Sequence, residues 1–179
     1  MYLTKFKIDT SKSNIRKALA DRQVMHSTIQ KMFGTDRKTS NVLYRLNGNN
    51  IYVTADKRPN LIDGFDFMGS REIEAVEGVH NFSIVTIPRK GKDNKKYILR
   101  TEEERLLWMH DQAEKNGFKI LSIREMGREP INSRKKGFDV VAYRYDGLLR
   151  VTDSEKFENS RRVGIGTMKA YGCGMLVVA

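Results

Sequence analysis

The chain has 179 residues, enough for one large domain or two small ones, and none of its apolar stretches reaches the roughly 18 residues that a membrane-spanning helix needs. Its N-terminus lacks the apolar run of a secretory signal, and a single cysteine, Cys173, excludes an intramolecular disulfide, so we expect a cytoplasmic protein with no membrane partner. Thirty-three basic residues against 22 acidic ones give a net charge of +11 at pH 7, which favours an anionic partner and speeds its encounter.

The first half of the chain predicts the order strand, helix, strand, strand, short helix, strand. An apolar stripe at helical spacing marks the first helix, with Asp21 as its N-cap. The sequence Asn-Gly-Asn-Asn at residues 47–50 predicts a hairpin turn between the two central strands. In chain order, the six elements span residues 2–8, 21–33, 42–47, 50–55, 60–67 and 79–87.

The second half repeats much of this order. Thr101 and Glu104 form a capping-box pair that starts a helix, and Gly117 is typical of a helix end. The Asp146-Gly147 pair predicts a turn between two strands, and Asp153 starts a further short helix. The strands of this half span residues 118–124, 138–145, 148–151 and 175–178.

This order of elements favours an α+β fold of two tandem ferredoxin-like units, each with the RRM-like order βαββαβ. We place the division after residue 88. The N-terminal unit, residues 1–88, then carries the helix of residues 21–33, and the C-terminal unit, residues 89–179, carries a glycine-rich stretch.

His26 is the first candidate for catalysis, because histidine can both donate and accept a proton near neutral pH. On the predicted helix it lies at the edge of the apolar stripe, beside Gln23 and Gln30, where its ring can meet a ligand. An ordinary histidine at the boundary of a core fits the same spacing, so the helix alone leaves both interpretations open. His80 and His110 have no partner at metal-ligand spacing, which predicts no metal site.

A glycine-rich stretch near the C-terminus is the second candidate site. It contains Gly164-Ile165-Gly166 and, five residues later, Gly172-Cys173-Gly174, with Lys169 between them. Glycines allow backbone N–H groups to approach phosphates, and a lysine adds a charge-assisted contact. A tight turn into the last strand is the simpler alternative, but the paired spacing around Lys169 favours a phosphate-binding loop.

Several basic clusters indicate a nucleic-acid partner rather than an ordinary solvated surface. They lie at residues 1–38, 89–96 and 134–136, and the last belongs to a predicted basic loop, residues 124–136, suited to the groove of an A-form duplex. His26 is the candidate for proton transfer, and Lys169 is the candidate for a charge-assisted contact with phosphate. The RNA-binding candidates are Gln23, Ser27, Gln30, Lys31, Arg128, Arg134, Lys135, Lys136, Arg161, Arg162, Gly164, Gly166, Tyr171, Gly172 and Gly174. For Gln23, Ser27 and Gln30, a solvent-facing position on the helix is the alternative interpretation.

Five segments, spread in order along nearly the whole chain, resemble the CasE family of CRISPR repeat-processing endoribonucleases. The helix with His26 and the helix with Trp108 carry the likeness to CasE, while the glycine-rich signature is shared with wider relatives. The five segments are Met1-Tyr2-Leu3, Val24-Met25-His26, Leu43-Tyr44-Arg45-Leu46, Glu103-Glu104-Arg105-Leu106-Leu107-Trp108, and residues 164–176.

The resemblance implies two ferredoxin-like domains and, as substrate, a CRISPR repeat hairpin in the precursor RNA. It implies cleavage without a metal or other cofactor, which leaves a 2′,3′-cyclic phosphate and a 5′-hydroxyl. It also implies a product that stays bound together with the other subunits of the Cascade surveillance complex. His26 matches the family's catalytic histidine, and Lys169 matches its loop lysine.

The sequence departs from the family at one position of the expected site. The family commonly has a tyrosine three residues before the histidine, where this chain has Gln23; a phenol can donate a proton, whereas an amide can only orient a phosphate. Either His26 acts alone or Tyr171 substitutes from the glycine-rich stretch. The alternative function is a repeat-RNA-binding subunit without catalysis. A pair of RRM-like mRNA-binding units would need more strand aromatics than Tyr44 and Tyr52, and charge alone is compatible with DNA.

Overall fold

The computed structural model describes residues 1–34, 39–92 and 95–179. Within these residues, no helix is long and apolar enough to cross a membrane. The elements are β1 Tyr2–Ile8, α1 Ser13–Ala20, α2 Arg22–Lys31, β2 Leu43–Asn47, β3 Asn50–Ala55, β4 Phe65–Glu72, β5 Val79–Thr86, β6 Arg89–Lys92, β7 Lys95–Ile98, α3 Glu102–Lys115, β8 Phe118–Ser133, β9 Phe138–Val151, α4 Ser154–Val163 and β10 Val177–Val178.

Two four-stranded antiparallel sheets share the strand order of a ferredoxin-like unit. The first sheet runs β2-β3-β1-β4 and the second runs β10-β5-β9-β8, so in both sheets the unit's first strand lies between its third and its fourth. Helices α1 and α2 connect β1 to β2, whereas α3 and α4 make the two helical connections of the second sheet. The predicted α+β fold with two ferredoxin-like units is therefore confirmed.

The strands are shared between the two sheets differently from our prediction. Residues 79–87 were expected to close the N-terminal unit, but β5 pairs with β9 and β10 in the second sheet. The first sheet is closed by β4, in which Phe65 and Phe67 pair antiparallel to β1. The short helix predicted at residues 60–67 is therefore wrong, because the phenylalanines belong to a strand. We propose that the units divide between Glu72 and Val79.

Strands β8 and β9 form one long hairpin with its tip at residues 134–137. Two predictions are wrong here: residues 124–133 belong to β8 rather than to a loop, and Asp146-Gly147 lies inside β9 rather than in a turn. A Cβ at Gly147 would lie 2.0 Å from the carbonyl oxygen of Ser122. Glycine is therefore needed at position 147 because β8 approaches β9 closely there, and not because the chain turns.

Each unit buries its own apolar core. In the first, α1 and α2 cover the sheet around Phe6 and Ile29; in the second, α3 and α4 cover the sheet around Trp108 and Phe157. A third cluster lies beneath the glycine-rich stretch, with Phe138 and Tyr171 among the side chains packed on it. Its buried members are Val85, Ile87, Ile131, Ala142 and Cys173.

A chain of polar contacts joins the two sheets. The buried Arg45 guanidinium of β2 donates to the Ser83 hydroxyl of β5 at 2.8 Å, and that hydroxyl donates to the Asp146 carboxylate of β9. Arg144 holds the same carboxylate with two N–H groups, at 3.0 and 2.8 Å. A charged group can be buried when it is paired and hydrogen-bonded. The Arg45 guanidinium can therefore lie between the two units and connect them through polar contacts.

Candidate functional site

Helix α2 presents His26 at the edge of its apolar face, as its spacing predicted. Met25 and Ile29 are buried against the first sheet, and the His26 side chain is half-buried. The Asp21 carboxylate caps the helix by accepting the N–H groups of Gln23 at 2.8 Å and Val24 at 3.4 Å. An open groove of about 580 Å³ follows the accessible face, lined by Gln23, His26, Ser27, Gln30, Lys31 and Gly34.

The glycine-rich stretch brings Tyr171 to Gln23, one of the residues that line this groove. Residues Lys169–Tyr171 form a single 3-10 turn packed on α2. The Tyr171 hydroxyl donates to the side-chain oxygen of Gln23 at 3.1 Å, and the centres of the Tyr171 and His26 rings are 6.2 Å apart. The two candidates that the sequence separates by 145 positions are therefore neighbours in the fold.

The glycines of this stretch shape the backbone around Lys169. The N–H groups of Gly164, Gly172 and Gly174 already donate to backbone carbonyls within the protein. A Cβ at either Gly164 or Gly174 would lie 2.9 Å from the aliphatic chain of Lys169, whose ammonium donates to the Gly164 carbonyl at 3.3 Å. We infer that these glycines make room for the lysine. Gly166 packs against Trp108 and Thr86.

The tip of the β8–β9 hairpin is the third part of the site. The Lys135 backbone N–H donates to the Asp21 carboxylate at 3.2 Å, which places the tip beside the first turn of α2. The Phe138 ring contacts the Tyr171 ring edge to face, with 4.9 Å between centres. The exposed side chains of Arg134, Lys135 and Lys136 make this tip strongly positive.

Three further basic candidates, Arg161, Arg162 and Arg128, lie elsewhere in the described part of the chain. Arg161 is buried and donates to the Glu74 carbonyl and the Glu158 carboxylate. Arg162 forms a two-point ion pair with Asp56. Arg128 is exposed on β8, farther along the hairpin than the tip.

Sequence reasoning missed Phe138 and the second contact of Asp21. Phe138 was assigned only to a strand, although an aromatic residue directly after a basic tip was a usable signal. Cys173 lies beneath the site, and burial raises the pKa of its thiol to about 12, so the thiol stays protonated at neutral pH. In the described part of the chain, no three His, Cys, Asp or Glu side chains are grouped to hold a metal ion.

The fold and the site define a class of protein, in which a glycine-rich C-terminal loop of one ferredoxin-like unit lies against a histidine-bearing helix of another. All 179 residues match the sequence profile described as CRISPR associated protein. The chain belongs to this CRISPR-associated protein family.

Individual relatives support the assignment. The CRISPR-associated endoribonuclease Cse3 of Thermus thermophilus is 30% identical over 108 residues, 51% of this chain and 50% of the relative, so the match spans about half the relative's length. The structure of Thermus thermophilus Cse3 bound to an RNA representing a pre-cleavage complex has a TM-score of 0.91 and 24% identity, covering 99% of this chain and 98% of that one. A chain of E. coli Cascade bound to a PAM-containing dsDNA target has a TM-score of 0.59 and 17% identity, covering 100% and 99%. At these sequence identities, the two comparisons show that this chain has the same fold as both structures.

Proposed function

We propose that the chain is an endoribonuclease that binds CRISPR repeat hairpins in precursor RNA and cleaves them into guide RNAs without a metal ion. The observation that carries this proposal is that the Tyr171 loop and the basic hairpin tip both contact the start of α2, the helix whose His26 lines the groove. A proton-transfer group beside a basic projection suits the cleavage of a bound phosphodiester. The relatives named for RNA cleavage add to this support.

In the proposed reaction the 2′-hydroxyl next to the scissile bond attacks the adjacent phosphorus in line. The P–O5′ bond breaks, the 2′-oxygen loses its proton, and the departing 5′-oxygen gains one. The products are a 2′,3′-cyclic phosphate and a 5′-hydroxyl. Because the nucleophile belongs to the RNA, no activated water is required, and His26 transfers one of the two protons.

Lys169 supplies positive charge to the phosphate in this proposal. Its contact with the Gly164 carbonyl uses one of the three N–H donors of an ammonium. The other donors can stabilise charge that develops on the phosphate oxygens, which is commonly a large contribution to catalysis.

Tyr171 supplies the phenol that the expected position, Gln23, lacks. Its hydroxyl donates to the Gln23 amide oxygen, so the phenol and the amide act together at the groove. We assign this pair the orientation of the phosphate. Ser27, Gln30 and Lys31 line the same groove and are proposed to contact RNA.

The product hairpin is proposed to stay bound to the chain with the other Cascade subunits in the cytoplasm. The basic tip of the protein's β8–β9 hairpin supports retention of the RNA product. Each lysine or arginine that neutralises an RNA phosphate releases a counterion and so adds to affinity. The likeness of the chain to one subunit of E. coli Cascade adds fold-level support.

The test is cleavage of a repeat-hairpin RNA in EDTA under single-turnover conditions. We expect wild type to cut and His26→Ala to bind normally but cut about 10²–10⁴ times more slowly, the usual cost of losing an acid or base. His110→Ala, which removes an exposed histidine of α3, is the matched control and should cut like wild type. Mass spectrometry of the fragments identifies the cyclic phosphate.

Each failure has a separate meaning. If His26→Ala cuts as fast as wild type, the catalytic assignment is wrong. If EDTA abolishes cutting by wild type, the metal-independent mechanism is wrong. If wild type binds tightly and never cuts, the chain is the non-catalytic repeat-binding subunit, the alternative that Gln23 favours.

A further inference from the structure

The Asp21 carboxylate contacts two segments that are far apart in sequence. One oxygen, Oδ1, accepts the N–H groups of Gln23 and Val24 and so caps α2. The other oxygen, Oδ2, accepts the N–H of Lys135, 114 positions away, at 3.2 Å. The side chain of Ser133, the last residue of β8, helps to hold the pKa of this carboxyl below its ordinary value. One side chain therefore ties the helix that carries His26 to the tip of the β8–β9 hairpin.

The donors around Asp21 stabilise its ionised form. Burial acts to raise the pKa of this carboxyl, but the bonds from Ser133, Lys135, Gln23 and Val24 together hold the pKa below its ordinary value. The carboxylate is therefore charged at neutral pH and has acceptor sites for both segments.

A second contact connects the same segments. Phe138, the first residue after the tip, packs edge to face on Tyr171 at 4.9 Å, and Tyr171 donates to Gln23 in the first turn of α2. The helix, the hairpin tip and the glycine-rich loop thus each contact the other two. Asp21 joins the helix to the tip through hydrogen bonds, and Phe138 joins the tip to the loop through an apolar contact.

We infer that Asp21 is a positioning residue for cleavage, which holds the basic hairpin tip in register with His26. The tip carries Arg134, Lys135 and Lys136, and RNA phosphates held by these cations are placed relative to His26 only as accurately as the tip itself. The inference rests on the proposed function and adds the residue that couples RNA binding to the chemistry.

Asp21→Asn separates the two contacts of this side chain. Asparagine caps helices as well as aspartate does, because its single carbonyl oxygen can replace Oδ1. Its amide nitrogen would face the Lys135 N–H, where a donor meets a donor and the hydrogen bond is lost. The matched control is Asp153→Asn on α4, because Asp153 caps that helix through Oδ1 and its Oδ2 pairs with the Lys156 ammonium of the same helix.

The measurements are the single-turnover rate constant at saturating protein, the dissociation constant for the repeat hairpin and the melting temperature. For Asp21→Asn we expect cleavage about 10- to 100-fold slower than for Asp153→Asn, since small misplacements of reacting groups cost this much. The dissociation constant should change by no more than about threefold, because the tip cations remain. Equal melting temperatures of the two variants would show that the helix cap is preserved.

Ser133→Ala perturbs the same docking from the hairpin side and leaves the helix cap intact, because the Ser133 hydroxyl accepts the Lys136 N–H at 3.1 Å and acts on the Asp21 carboxyl. The inference therefore stays testable even if Asp21→Asn folds poorly. Rates for Asp21→Asn and Ser133→Ala equal to that of Asp153→Asn would overturn it. If wild type itself does not cut, the proposed function fails, and amide hydrogen exchange still examines the docking. The Lys135 backbone amide should then exchange faster in Asp21→Asn than in wild type. Equal exchange rates would show that Asp21 does not hold the hairpin tip.

Discussion

Gly172 should be intolerant of substitution, because the glycine-rich loop packs directly on a buried ring at this point. Its φ is +90°, in the left-handed region that favours glycine. A Cβ there would lie 3.0 Å from Cε2 of Tyr44, whose side chain is 1% exposed and has no room to move away. Gly172→Ala must therefore strain the backbone and also displace the ring or the loop.

The two costs can be separated with Gly48→Ala. Gly48 has a φ of +56° in the β2–β3 turn, and a Cβ there meets nothing within 4 Å. Backbone strain alone costs about 1–2 kcal/mol, whereas forcing extra volume into a packed site adds about 1–3 kcal/mol. The sum predicts that Gly172→Ala lowers the free energy of unfolding by about 2–5 kcal/mol, against about 1–2 for Gly48→Ala.

Urea unfolding of the two variants measures this difference directly. We also expect Gly172→Ala to slow cleavage, since Gly172 follows Tyr171 and its displacement moves the loop at the groove. Gly48→Ala lies away from the groove and should cut like wild type. Equal destabilisation by the two substitutions would show that Tyr44 does not restrict the loop and would refute the packing argument.

Tyr171→Phe should cut about 2- to 10-fold more slowly, because it loses one hydrogen bond worth about 0.5–1.5 kcal/mol; a loss of 10² or more would instead assign proton transfer to this phenol. Arg105→Met should destabilise by about 3–5 kcal/mol in thermal or urea unfolding, because the buried guanidinium, 2% exposed, holds both oxygens of Glu125, and its loss leaves that carboxylate unpaired. Burial acts to raise the pKa of the Asp146 carboxyl, but hydrogen bonds from Arg144 and Ser83 hold that pKa below its ordinary value. Its contribution to stability is therefore complete above about pH 4 and lost as the pH falls through the folded pKa, so Asp146→Asn should flatten the acid limb of a stability-versus-pH curve. Lys135→Ala should lower the slope of log affinity against log salt by about 1 in filter-binding titrations, and an unchanged slope would remove this lysine from the phosphate contacts.

Local signals in the sequence were sufficient for several elements of the fold. The capping box of Thr101 and Glu104 forms as predicted, with Glu104 also accepting from the backbone of Arg100. The stripe on α2 placed His26 at the edge of the apolar face. These features depend on residues a few positions apart, whose relation is set by helix geometry.

The incorrect secondary-structure predictions involve residues that pack against parts of the chain far away in sequence. Gly147 suggested a turn, but its reason lies in the close approach of Ser122 on β8. A short helix was predicted over residues 60–67, but Phe65 and Phe67 pair with β1, about 60 positions earlier in the chain. Periodicity describes a segment's own geometry and does not identify the partner on which the segment packs.

The sequence by itself determined the basic charge, the presence of two ferredoxin-like units and the identity of the candidate groups His26, Lys169 and Tyr171. Only the tertiary structure decided which of these groups meet. The Tyr171 hydroxyl reaches Gln23 across 148 positions, and the Lys135 N–H reaches Asp21 across 114. Such contacts exist because the loop and the long hairpin of one unit fold onto the helix of the other, and no spacing along the chain specifies that arrangement.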